Sequence, residues 1–325
     1  MSEMIFGAGA ALVDLLIEES DSYLSKLGSE KGGMTMVEPS FHQDALDSTT
    51  AQVVQVPGGS ACNTLVGIAQ LGGQTSFLGN VGKDSVGKFF ASGLKEAGVN
   101  ATLSEGETPT GRVLSVVTPD AQRTMFTHLG ASAELTPESL SNVDFSSVRL
   151  VHLEGYLAFN APYFKAVVQK AREAGVGISL DLSSFEVVRF CRELLDEVLQ
   201  DGIEILIANE DEAAEFAGSK EESVILEKMS KVCDLSVYKL GAEGVVLQKG
   251  SEVLKVGTTA VKALDTTGAG DLWASGFLFG YVKGASLESS AKLGNQVAGE
   301  VVQIMGAKIS SETWQKLNSA KESLV

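Results

Sequence analysis

Between residues 148 and 218 the chain alternates between two hydrophobic periods, and this excludes most folds. Apolar runs of strand length, VRLVHLEG (148–155), VGISLDL (176–182) and IEILIAN (203–209), are separated by the longer segments APYFKAVVQKAREAG (161–175) and FEVVRFCRELLDEVL (185–199), and EDEAAEFAG (210–218) follows. The short runs read as strands apolar on both faces, and the longer ones as amphipathic helices with Gly past several of their ends. A strand apolar on both faces must be covered on both, and a helical crossover makes consecutive strands parallel. The expected fold class is therefore α/β, a mostly parallel sheet flanked by helices.

The N-terminal third follows a different pattern. The apolar run MIFGAGAALVDLLI (4–17) reads as the first strand. Residues 18–56 are polar and broken, with short strand-like pieces at 34–38 and 51–56. A helix over 60–71, a strand at 74–79 and a helix over 84–97 come next, and residues 101–128 return to alternating patterns, RVLSVVT (112–118) and RTMFTHL (123–129). Two such segments inside an α/β chain predict a single unit over 1–325 with a small sheet inserted from about 18–56 and 101–130. We read this sheet as a lid, because segments covering a sheet often carry function; surface hairpins without a role are the plainer alternative.

Net charge and cysteine usage narrow the partners. A formal charge of −17 argues against nucleic acid and anionic membranes, but a local site with a metal ion can still take phosphate. Cys62, Cys191 and Cys233 show no metal-ligand spacing and read as reduced thiols, and His42, His128 and His152 are scattered. No run is long enough to span a bilayer. The expectation is a cytoplasmic protein, monomer or homodimer, acting on a small molecule.

The chemistry is concentrated in VKALDTTGAGDLWASGFLFG (261–280). A strand-like lead ends at Asp265; small residues follow, and a helical pattern begins near Asp271. Glycines at a helix start let bare N–H groups converge on an anion, with the helix dipole adding positive potential. A carboxylate beside such a site suits removal of a proton from an attacking hydroxyl, although Asp271 also reads as an N-cap. In GSACNTLVGIAQLGG (59–73), Ser60 reads as a cap and Asn63 either as a second cap or as a partner for sugar hydroxyls. Asp14 is a carboxylate in an apolar stretch and needs hydroxyls, a cation or an N–H. The acidic run Asn209–Glu212 helps hold Mg²⁺ through water or only caps a helix. Gly7-Ala8-Gly9 lacks the third glycine of a dinucleotide fingerprint, since Leu12 stands there, and no GxxxxGK[ST] string exists.

Taken in order, Asp14, GGSACN (58–63), NEDE (209–212), KLGAEG (239–244) and DTTGAGD (265–271) resemble the ribokinase, or PfkB, family of carbohydrate kinases along nearly the whole chain. The resemblance implies a Rossmann-like domain with a β lid and ATP-dependent phosphorylation of a sugar or nucleoside hydroxyl. It makes Asp271 the base and Gly268, Ala269 and Gly270 the anion hole. Asp14, Gly58, Gly59, Asn63 and, from the lid, Arg123 would hold the acceptor. Asn209, Lys239, Gly241, Gly244 and Asn295 would serve ATP, with Lys239 standing where many relatives carry Thr. Glu212 would arrange Mg²⁺, and Asp265 and Thr267 would face a monovalent cation such as K⁺.

GAGAALVDLL (7–16), RTMFTHLGA (123–131) and EGYLAFN (154–160) are similar to adenosine-kinase-like members. Ala10 and Leu157 depart from that subgroup where Asn and a stacking aromatic are common, and Tyr156 is the neighbouring candidate for the stack. The alternatives are a ribose- or fructose-type kinase and a non-catalytic nucleotide- or sugar-binding relative.

Overall fold

The computed structural model describes residues 3–29, 31–322 and 324. Among them the alternating segments form a nine-stranded sheet. From edge to edge it runs Glu252–Val256, Val245–Lys249, Cys233–Lys239, Ile203–Ala208, Gly177–Asp181, Val148–Glu154, Met4–Ala8, Thr75–Gly82 and Asn100–Gly106. Strands from Cys233–Lys239 onward pair in parallel, and the first two add an antiparallel hairpin. Period-two alternation sends Ile205 and Ile207 into one core and Leu206 and Ala208 into the other. The helices Ser60–Gln70, Ala269–Val282 and Leu287–Val301 contribute to the first core. Ala161–Glu173, Glu210–Ala217 and Glu222–Met229 contribute to the second. No helix of the described residues is long and apolar enough to cross a membrane.

A second sheet has the order Met34–Met36, Arg123–Gly130, Thr110–Val117, Leu12–Glu18, Val54–Gly58. Its edges differ from the expected 18–56 and 101–130 at two places. The run 4–17 is two strands: Met4–Ala8 lies in the large sheet, and Leu12–Glu18 joins the small one between Val54–Gly58 and Thr110–Val117. An unbroken apolar run does not reveal a change of sheet. Asn100–Gly106 belongs to the large sheet, paired with Thr75–Gly82. As an edge strand with one wet face it carries the same alternation as a lid strand.

The strand-like lead at 261–265 is irregular backbone. Val261 and Leu264 are exposed, so no apolar face holds them in a sheet, and Leu264 and Asp265 instead donate their N–H groups to the Val302 carbonyl. At the carboxyl edge of the large sheet, Glu154 and Asp181 are register partners on adjacent strands. Asn209 follows the next strand and Lys239 ends the one beyond. Parallel sheets flanked by helices bind ligands along this edge.

Candidate active site

A cavity of about 610 Å³ opens between this edge and the small sheet. Its floor includes the start of the helix Ala269–Val282. Gly268, in left-handed backbone (φ 70°), turns the chain into that helix, and no side chain caps it. The first N–H groups of a helix have no intrahelical acceptor, so the turn Gly268–Ala269–Gly270 faces the cavity as an anion-binding end.

Asp271 lies within the helix rather than capping it, and its carboxylate is held by side chains of the adjacent helix Ser60–Gln70. Ser60 Oγ donates to Oδ1 at 2.7 Å and Asn63 Nδ2 to Oδ2 at 3.0 Å. The Thr64 hydroxyl donates to the Asp271 carbonyl at 3.2 Å. Burial pushes the Asp271 carboxyl above its usual range, and the Asn63 and Ser60 hydrogen bonds pull it partly back. Neither Ser60 nor Asn63 is the N-cap expected from the sequence. Gly59 takes that position with φ 98°, where a Cβ would come within 2.2 Å of the Ala10 carbonyl oxygen. An ionised carboxylate only accepts, so the Asn63 amide must donate to it. One of its two N–H donors is therefore used on Asp271.

Asp14 is buried on the strand Leu12–Glu18, with Gly58 packed against its carboxylate. Its carboxylate makes no hydrogen bond to a protein group among the described residues, and the residue lines the cavity. Burial pushes its carboxyl up to about 7, while the Arg123 charge pulls it down. Arg123 lines the same cavity from the strand Arg123–Gly130.

Sequence reasoning missed two carboxylates. Glu154, buried at the end of its strand, accepts from the Ala10 N–H at 2.9 Å and the Ala61 N–H at 2.8 Å. It thus ties the segment at Ala10 and the first turn of the helix Ser60–Gln70 to the large sheet, and burial raises its carboxyl to about 7. Asp181 pairs with Lys239 at 2.8 Å. Burial alone would lower the Lys239 ammonium, but Asp181 and Glu212 outweigh it and hold the group above its ordinary value.

Asn209, Gly241, Gly244 and Asn295 line the same cavity. Asn295 is less available than expected: its Oδ1 accepts from Trp273 Nε1 and its Nδ2 donates to the Gly257 carbonyl. Glu212 forms a reciprocal capping box with Asn209, accepting from that residue's N–H and Nδ2. Burial, reinforced by Asp181, pushes the Glu212 carboxyl above its usual range. No group of three or more His, Cys, Asp or Glu among the described residues is placed to cage a metal. Asp265 and Thr267, expected beside a monovalent cation, bond to each other. Asp265 accepts from the Thr267 N–H and hydroxyl and from the Gly306 N–H. These contacts brace the loop and do not fit a cation site built on those two groups.

The small sheet lines the cavity mostly with apolar side chains, Leu12, Met34, Met36, Met125 and Leu129, among which Asp14, Arg123 and Thr127 are its polar groups, and Phe159 adds a ring from outside that sheet. Leu157, expected near a stacking position, is buried in the core instead. Gly155–Phe159 is a 3₁₀ turn, in which residues three apart share a face. Tyr156 and Phe159 therefore line the cavity together, and Leu157 turns away.

The sequence profile of the pfkB family carbohydrate kinases matches residues 28–314. The chain belongs to this family. It is 33% identical to adenosine kinase from Sinorhizobium meliloti, with a TM-score of 0.91 and all of both chains covered. It is 32% identical to a probable sugar kinase from Rhizobium etli CFN 42, again over all of both chains, with a TM-score of 0.92. Adenosine kinase of Saccharomyces cerevisiae is 28% identical over 94% of this chain and 96% of its own length. As a pfkB kinase, the protein is an ATP-dependent phosphotransferase acting on a nucleoside or sugar hydroxyl, and it works with a divalent metal.

Proposed function

We propose that this kinase phosphorylates an adenosine-like nucleoside, with Asp271 as the base. The observation that carries the reading is the pairing, in one cavity, of the carboxylates of Asp14 and Asp271 with a group of methionines, leucines and Phe159. A free sugar is polar all round and gains nothing from those apolar side chains. A base attached to a ribosyl group packs against them, and burying apolar surface is worth roughly 25 cal/mol per Å². The likeness to the Sinorhizobium meliloti adenosine kinase supports the same choice.

In this reading Asp14 and Arg123 hold the acceptor, the small sheet closes over it as a lid, and Asp271 takes the hydroxyl proton. The oxygen bonds to the γ-phosphorus as the bond to ADP breaks, and charge on the transferring group falls on the Gly268–Gly270 turn. Lys239 supplies a fixed positive charge beside that turn. Glu212, already committed to Asn209, suits Mg²⁺ held mainly by phosphates and water, with the protein carboxylate behind the water shell. When bound, Mg²⁺ neutralises phosphate charge. Three free thiols fit a reducing cytoplasm.

Two measurements test this. In a coupled ADP-release assay, adenosine is expected to be turned over at a lower KM than ribose or fructose. Turnover of a free sugar with adenosine inert would overturn the nucleoside assignment and leave the family assignment standing. Glu212→Gln is expected to raise the Mg²⁺ concentration needed for half-maximal rate. An unchanged Mg²⁺ titration would reduce Glu212 to a helix cap.

A further inference from the structure

Asp181 and Lys239 form an ion pair at 2.8 Å. It joins the ends of two strands that are not neighbours, since Ile203–Ala208 runs between them. Both side chains are largely buried, and both line the cavity. The ammonium abuts the anion-binding turn: a Cβ added to Gly270 would lie 3.1 Å from Lys239 Nζ. Asp181 is itself fixed. Its backbone is in register with Glu154 on one side and Ile207 on the other. Its second carboxylate oxygen accepts the Ser183 N–H at 2.9 Å. Ser183 occupies left-handed backbone (φ 65°), a conformation that residues other than glycine rarely hold unless the surroundings enforce it. A strained turn thus aims one carboxylate at one ammonium.

Three carboxylates, on Asp181, Glu212 and Asp271, act electrostatically on Lys239. Only Asp181 is bonded to it among the described residues. Without that bond the ammonium is drawn toward Asp271, where it would quench the base, or further onto a bound phosphate. We propose that Asp181 is a positioning residue, holding the Lys239 ammonium beside the Gly268–Gly270 turn and limiting its grip on ATP before phosphoryl transfer. The proposal rests on Lys239 serving the nucleotide's phosphates. Stronger binding of the ground state without matching gain in the transition state lowers KM and kcat together.

The test compares Asp181→Asn, Lys239→Met and the double variant by steady-state kinetics at saturating acceptor. Asp181→Asn is expected to lower kcat about tenfold or more and to lower the KM for ATP about threefold. Lys239→Met is expected to raise the KM for ATP about fivefold or more. In the Lys239→Met background, adding Asp181→Asn should change either constant by less than about twofold, because its effect runs through the ammonium. An equal loss of kcat in both backgrounds overturns the proposal, as does an Asp181→Asn variant with a changed melting temperature and unchanged kinetics. An unaltered KM for ATP in Lys239→Met overturns both the proposal and the phosphate role of Lys239. If Asp181→Asn does not fold, the double variant decides, since it removes the pair together. Constants equal to those of Lys239→Met sustain the proposal, and a further tenfold loss of kcat overturns it.

Discussion

Asp271→Asn is expected to lower kcat by about 10²–10⁴-fold, the usual worth of a positioned general base. The fold should survive, because the new amide can still accept from Ser60 Oγ through its carbonyl oxygen. Its NH₂ would face the Asn63 NH₂, and a flip of the Asn63 amide turns that clash into a hydrogen bond. Calorimetric binding of ATP and acceptor should therefore change by no more than a few fold. The pH profile gives a second check. A base works when ionised, so wild-type activity falls as pH drops through the Asp271 titration. Burial places that limb above the ordinary aspartate range. The limb should vanish in the variant. Near-normal turnover would remove Asp271 from the chemistry.

Asp14→Asn should weaken the enzyme and stabilise the fold at once. A hydrogen bond to a charged group is worth about 1.5–3 kcal/mol, so the KM for the acceptor should rise roughly 10- to 100-fold with the KM for ATP little changed. The stability effect follows from the raised carboxyl, at about 7 against 3.8 unperturbed. A folded-state pKa above the unfolded one means the proton is held more tightly in the folded protein. The group then costs nothing below the unfolded value, and the penalty grows until pH passes about 7. Near pH 8 the variant should melt higher than the wild type, and the gain should shrink as pH falls toward 5. An unchanged or lower melting temperature near pH 8 would show that the Asp14 charge finds compensation in the free protein.

What was legible in the sequence was local. Period and punctuation gave the parallel sheet, and DTTGAGD gave the helix start, because glycines and the carboxylate that use one another there are contiguous. The partners of Glu154 were not legible: it bonds backbone N–H groups 144 and 93 residues away, and backbone leaves no mark in the residue type. Its only signal was a carboxylate at the end of an apolar strand, a feature Asp181 shares. Asp265 and Thr267 were read as cation-facing through resemblance, whereas two hydrogen bonds over two residues satisfy them locally. Phe159 went unread beside Leu157 for want of one rotation, which a 3₁₀ turn sets and a strand or α-helix would set differently.

Glu154 belongs to the large sheet, yet the segment at Ala10 and the first turn of the helix Ser60–Gln70 hang from it. The groups that hold Asp271 therefore keep their alignment whatever roof stands above. A roof borrowed from a relative, spanning the strands between residues 12 and 58 and between 110 and 130, would bring a new appetite to an unchanged engine. What such an enzyme phosphorylates can drift by exchanging its cover, while how it phosphorylates stays put.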